Sequence, residues 1–193
     1  MIEICSEEFP LGTVIALEEL SVPYKIVKRV TNEKSLPPIN YKQCYIVDTA
    51  PSGSTDHIYV HGSCAILEYL SDKYRMLIPD NYLDLLDTKQ WLYWYCSYLE
   101  PFMPGIMGLS PLSIDKSSLL DRFSKINRQL ERKKFLARLY SIADIVFYTA
   151  YKRFRQAYSD HSHYYSNLEE WMSTIEKRPA AVRAIEKAAA SSH

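Results

Sequence analysis

Apolar residues sit in short or alternating runs over the first third of the chain and recur at helical spacing after it. Met1 to Cys5 is a short apolar run and predicts a first strand. Leu11, Val14, Ile15, Leu17 and Leu20 fall on one side of a helix, which predicts a helix over Pro10 to Leu20. Pro10 suits its first turn, and Ser21-Val22-Pro23 ends it. Tyr24 to Val30 is β-rich and predicts a second strand, parallel to the first through a right-handed crossover. Thr31 to Tyr41, with Pro37-Pro38, reads as irregular. Gln43 to Asp48 and His57 to Val60 predict two more strands around the turn residues Pro51-Ser52-Gly53-Ser54. Ser63 to Tyr74 is a helix with Ala65, Ile66, Tyr69 and Leu70 on one face.

Everything after the Pro79-containing segment Leu77 to Tyr82 is helical. Leu83 to Phe102 shows a broad apolar face that includes Trp91, Trp94, Tyr95 and Tyr98. Lys116 to Leu139 predicts one long helix, and Ser141 to Tyr158 a third. Asn167 to Lys177 and Pro179 to Ala190 complete the set. The pattern places a mixed α/β domain at 1–76, a linker at 77–82 and an all-helical domain at 83–193. Ser141-Ile142-Ala143-Asp144 fits a capping box, in which Ser141 and Asp144 satisfy each other's backbone amides. Tyr140 and Ile145 are placed to form a hydrophobic staple across it. This cap is structural, not catalytic.

Composition narrows the functions. Lysine plus arginine equals aspartate plus glutamate at 23 each, so the chain is no globally basic nucleic-acid binder. No apolar run approaches the ~18 residues of a membrane span. Glu3, Glu7 and Glu8 give the N-terminus the wrong charge for a targeting segment, and the cytosol is the expected compartment. Cys5, Cys44, Cys64 and Cys96 form no CxxC pair, which suits reduced thiols. The Asp160-His161-Ser162-His163 run reads as a solvated loop, so no metal site is expected.

Ser63-x-Ala65-Ile66-x-x-Tyr69-Leu70 followed by Ser141-x-Ala143-Asp144 resembles the glutathione S-transferase superfamily over nearly the whole chain. The resemblance implies a thioredoxin-like α/β domain followed by an all-α domain. Three stretches resemble the transferase-like domains of the translation machinery. Pro10-Leu11-Gly12 with Ala16 and Glu18 is similar to the domain appended to glutamyl- and glutamyl-prolyl-tRNA synthetases. Gln90-Trp91-Leu92-x-Trp94 with Leu99-Glu100-Pro101 is similar to the one in methionyl-tRNA synthetase. Ala143-Asp144-Ile145 with Tyr148, Arg153, Phe154 and Trp171 is similar to the auxiliary factor of the multisynthetase complex.

Set against a working glutathione site, three positions look vacated. Glu8 falls at the position of the family's activating serine, where a carboxylate would repel a thiolate. Tyr45 falls at that of the cis-proline, and its peptide bond is expected to be trans. Gly62 stands at that of the acid or amide before the serine. Ser63 alone remains, with a structural reason to stay as a helix N-cap. The expectation is therefore a non-catalytic interaction domain, without cofactor or metal. Its partner would be another transferase-like domain of a synthetase or auxiliary factor, and the chain the front of a longer synthetase.

By the same resemblance Arg153 and Tyr148 lie on a pairing helix, and Leu67, Tyr74, Trp94 and Tyr98 on a second pairing surface. The alternatives are an active glutathione S-transferase and a tRNA-binding module. For the last, Lys116 to Arg138 holds eight basic against two acidic residues, with Arg128, Arg132, Lys133 and Lys134 as phosphate contacts.

Overall fold

In the computed structural model the described residues are 1–27, 44–51, 56–106, 108, 115–162 and 164–191. The irregular segment expected at 31–41, the turn at 52–54 and His163 lie outside them. The chain divides into two compact units, Met1–Met76 with Pro179–His193, and Leu77–Arg178.

The first unit is built on a four-stranded sheet. Its strands are β1 (Ile2–Cys5), β2 (Tyr24–Val27), β3 (Tyr45–Asp48) and β4 (Ile58–His61), in the order β2-β1-β3-β4. β1 and β2 are parallel across the helix α1 (Leu11–Glu19), as a βαβ crossover requires. β3 runs antiparallel to both β1 and β4. Ile2, Ile4, Ile46 and the α1 residues Val14, Ile15, Ala16 and Leu17 are buried, which gives the sheet its core. Helix α2 (Ser63–Tyr74) buries Ile66, Leu67 and Leu70 and packs on α1, β3 and β4. Asp48 joins β3 to α2. It accepts from Tyr69 Oη at 2.5 Å and from the Lys73 ammonium.

The last helix, α9 (Pro179–Ala190), completes this unit, whereas the hydrophobic pattern assigned it to the second domain. It packs on α1, burying Ala180, Ala181 and Ala184. Arg183 Nε donates to Glu18 Oε2 at 2.6 Å, and Lys187 Nζ to Glu18 Oε1 at 2.5 Å. Glu18 is thereby held at a pKa of about 2. Its desolvation is outweighed by the hydrogen bonds from Arg183, Lys187 and Tyr24.

The second unit is helical: α3 (Tyr82–Tyr98), the short α4 (Met103–Ile106), α5 (Lys116–Gln129), α6 (Ile142–Ala157), the short α7 (Ser159–Ser162) and α8 (Ser166–Glu176). Phe147 of α6 centres an aromatic cluster, with Trp91, Trp94 and Tyr95 at 5.7, 5.8 and 5.5 Å between ring centroids. A second cluster joins Phe123 to Phe154 at 4.2 Å.

The start of α6 is the capping box that the sequence shows. Ser141 N donates to Asp144 Oδ2 at 3.1 Å. The same carboxylate accepts from Leu136 N at 3.0 Å and Trp171 Nε1 at 2.9 Å. Burial raises Asp144 to about 6 against these donors. The Tyr140 ring lies against Phe135 and under the Arg178 guanidinium, 3.7 Å from its centroid. The single helix expected to Leu139 stops at Gln129. One 3-10 turn follows over Leu130–Arg132, and the chain then bends so that the Leu136 amide reaches Asp144. No helix among the described residues is long and apolar enough to cross a membrane.

Candidate functional site

The end of β1, the start of β3 and the end of β4 meet at one place in the first unit. The antiparallel register pairs Cys5 with Tyr45, which sets Ser6 beside Cys44. The register of β3 and β4 pairs Tyr45 with His61, and Gly62 N donates to Cys44 O at 3.2 Å. Side chains alternate across a strand. Cys5, Tyr45 and Val47 therefore cluster on one face with Val27, while the Cys44 thiol donates to Tyr45 O at 3.9 Å and lies near the Ser6 and Thr13 hydroxyls. Burial pushes this thiol up to about 11, although both hydroxyls favour its thiolate. At neutral pH Cys44 is a neutral thiol and no nucleophile.

The start of α2 adjoins this cluster. Gly62 is its N-cap with φ +86, no side chain caps the helix, and the first turn holds no acid. Its first amides and the positive end of its dipole suit a carboxylate. Ser63 is exposed and is the first helical residue, not the N-cap expected of it. The arrangement thus offers a half-buried hydroxyl at Ser6 and an anion-accepting helix start within one sheet end. Such a place can hold an acidic peptide and stabilise a thiolate it carries.

The three positions read as vacated fall in distinct settings. Glu8 is exposed between β1 and α1, where water and salt screen its charge. Tyr45 is a core residue, 2 % exposed and stacked on His61 at 5.0 Å. The side chain facing Ser6 and Thr13 is that of Cys44. No cis peptide bond occurs among the described residues. Gly62 is suited to its position by its positive φ. Ser6 lies near the position of the family's serine but out of register with it, and Thr13 carries no signal in the sequence; sheet pairing brings both near Cys44.

The residues expected to pair with a partner domain fall in different settings. Tyr148 and Leu67 are buried, and Tyr148 Oη donates to Glu176 Oε1 at 3.0 Å, so neither presents a side chain to a partner. Arg153, Tyr74 and Trp94 are half-buried, and Tyr98 is exposed. The tRNA strip does not lie on one helix. Arg128 is on α5, but Arg132, Lys133 and Lys134 follow its end, all exposed.

No family model matches the chain. It is 30% identical over 149 residues to an uncharacterized GST-like protein of Streptococcus mutans, covering 67% of this chain. The chain spans 56% of that relative's length. It is 25% identical over 214 residues to the disulfide-bond oxidoreductase YfcG of Escherichia coli, across 97% of this chain and 96% of that one. In structure it is similar to glutathione transferase YghU from Streptococcus pneumoniae, solved in complex with glutathione. The TM-score is 0.79 with 24% identity, over 96% of this chain and 82% of that one.

These likenesses overturn the synthetase reading. Its relatives at this level are bacterial GST-like and oxidoreductase proteins, so the non-catalytic assembly domain, the multisynthetase complex and the tRNA module are all corrected. The motifs behind that reading serve the fold itself. Ile66, Leu70 and Asp144 are fully buried, and Trp91 and Trp94 pack on Phe147, so they do not mark one branch of it. The chain has the glutathione transferase fold.

Proposed function

We propose that the chain is a glutathione-dependent enzyme whose reaction is thiol–disulfide exchange. The observation that carries this is the joined site of the first unit, with the Ser6 hydroxyl near Cys44, whose carbonyl accepts from Gly62 N at the start of α2. Likeness to a disulfide-bond oxidoreductase along nearly the full length of both chains supports the choice of reaction. A carboxylate of glutathione would take the first amides of α2 and the Ser63 hydroxyl. Its sulfur would lie by Ser6, whose hydroxyl donates to the thiolate and lowers its pKa.

The exchange balances without any other reagent. The glutathione thiolate attacks one sulfur of a disulfide, a new S–S bond forms, and the other sulfur leaves as a thiolate that takes up a proton. A second glutathione repeats the step and releases glutathione disulfide. Cys44 takes no part, since its burial keeps it protonated. Conjugation of the same thiolate to an electrophile is the second reading, favoured by likeness to glutathione transferases. The four free cysteines, Cys5, Cys44, Cys64 and Cys96, suit the reducing cytosol.

The test is turnover of 2-hydroxyethyl disulfide and of 1-chloro-2,4-dinitrobenzene by the same preparation with glutathione. Disulfide reduction above the uncatalysed rate is expected. Ser6→Ala should lower it about 100-fold, the scale of losing one donor to a developing anion. It should also move the pH at which turnover rises upward, which a merely structural change would not do. Absence of glutathione-dependent turnover with both substrates would sink the proposal.

A further inference from the structure

The basic residues that follow α5 have no part in the glutathione site. Arg132, Lys133, Lys134 and Arg138 line an open groove of about 470 Å³ in the second unit, with Asp84 and Asp87 of α3. That volume lies within the ~300–1,000 Å³ of small-molecule sites. Four cations against two carboxylates leave the groove with two net positive charges. Its ion pairs are long: Lys133 Nζ is 3.9 Å from Asp87 Oδ2, and Arg138 3.8 Å from Asp84 Oδ1. Both exceed hydrogen-bonding reach, and exposed pairs at such distances contribute little. These pairs are loose enough for a bound molecule to displace.

We propose that this groove binds a small peptide acid that carries carboxylates in excess over ammonium groups. A plain polyanion would meet repulsion from Asp84 and Asp87. A peptide acid instead seats its ammonium groups there and its carboxylates on the four cations. Glutathione disulfide, with four carboxylates and two ammonium groups, has the mirror image of the groove's charges and serves as the probe. The groove belongs to the second unit and Ser6, Thr13 and Ser63 to the first, so each proposal can fail without the other.

The experiment is a backbone amide NMR titration of the full chain with glutathione disulfide. Shifts are expected at 84–87 and 132–138, separate from any at 6–13 and 62–64. A Lys133→Glu/Arg138→Glu variant should lose the first set. An Asp84→Asn/Asp87→Asn variant should bind about threefold or more weakly, from the loss of two exposed charge contacts. Tighter binding by that variant is the behaviour of a simple polyanion site and overturns the proposal. So does inorganic pyrophosphate binding as tightly as the probe, or the absence of shifts at 84–87 and 132–138.

Discussion

Asp144 shows how much one side chain can hold. Its carboxylate takes the amide of Ser141, the amide of Leu136 and the indole of Trp171 at once. Asp144→Ala leaves three buried donors without an acceptor. It should destabilise the chain by about 3–5 kcal/mol, read from the urea midpoint of tryptophan fluorescence. Asp144→Asn keeps one acceptor oxygen and should do less harm. The titration has a definite sign. The folded pKa, about 6, lies above the ordinary 3.8, so the contribution is fully present below pH 4 and lost as pH rises through 6. Wild type minus Asp144→Asn stability, measured from pH 3.5 to 7, should fall over that interval. Gly62→Ala meets no atom within 4 Å of the added Cβ, so its cost is conformational, about 1–2 kcal/mol. It should also weaken glutathione binding by disturbing the start of α2.

At the scale of elements, α9 is fastened to α1 through Glu18. That carboxylate is held at about 2, below its ordinary 4.5. The stabilisation is therefore present above pH 4.5 and lost as pH falls through 2. Glu18→Gln should destabilise by about 1–2 kcal/mol at neutral pH, and the difference from wild type should shrink in acid. A difference independent of pH would remove the ion pairs from the account.

Most elements are legible in the sequence because their causes are local. Leu11 to Leu20 keep helical spacing, and Ser141 and Asp144 announce the start of α6. The exceptions have distant causes. The long basic helix ends at Gln129, and the Leu136 amide beyond it is claimed by Asp144. The site was legible only as a frame. Ser63 and Gly62 could be read from spacing, whereas Ser6, Thr13 and Cys44 meet only once β1 and β3 pair. That Glu8 is exposed shows only in the fold.

For the molecule as a whole, ligand binding and stability are linked. Glutathione that binds only the folded chain should add about 2.7 kcal/mol at one hundred times its dissociation constant. A thermal melt with and without glutathione measures this, and an unchanged midpoint at saturating ligand would contradict a folded-state site. The formal net charge of zero at pH 7 also predicts least solubility near neutrality, which a precipitation series across pH 5–9 would show.

The attachment of α9 to α1 has a consequence for the order in which the chain is made. The first 76 residues emerge early, yet their unit is finished only by Pro179–His193, which is made after the whole of the second unit. Until then the surface of α1 that Ala180, Ala181 and Ala184 pack against stands bare. The sheet beside which Ser6 and Ser63 lie therefore waits for α9 before it is fully supported. A nascent chain stalled at Arg178 should be open to proteolysis near α1, although every residue of the candidate site has already been translated.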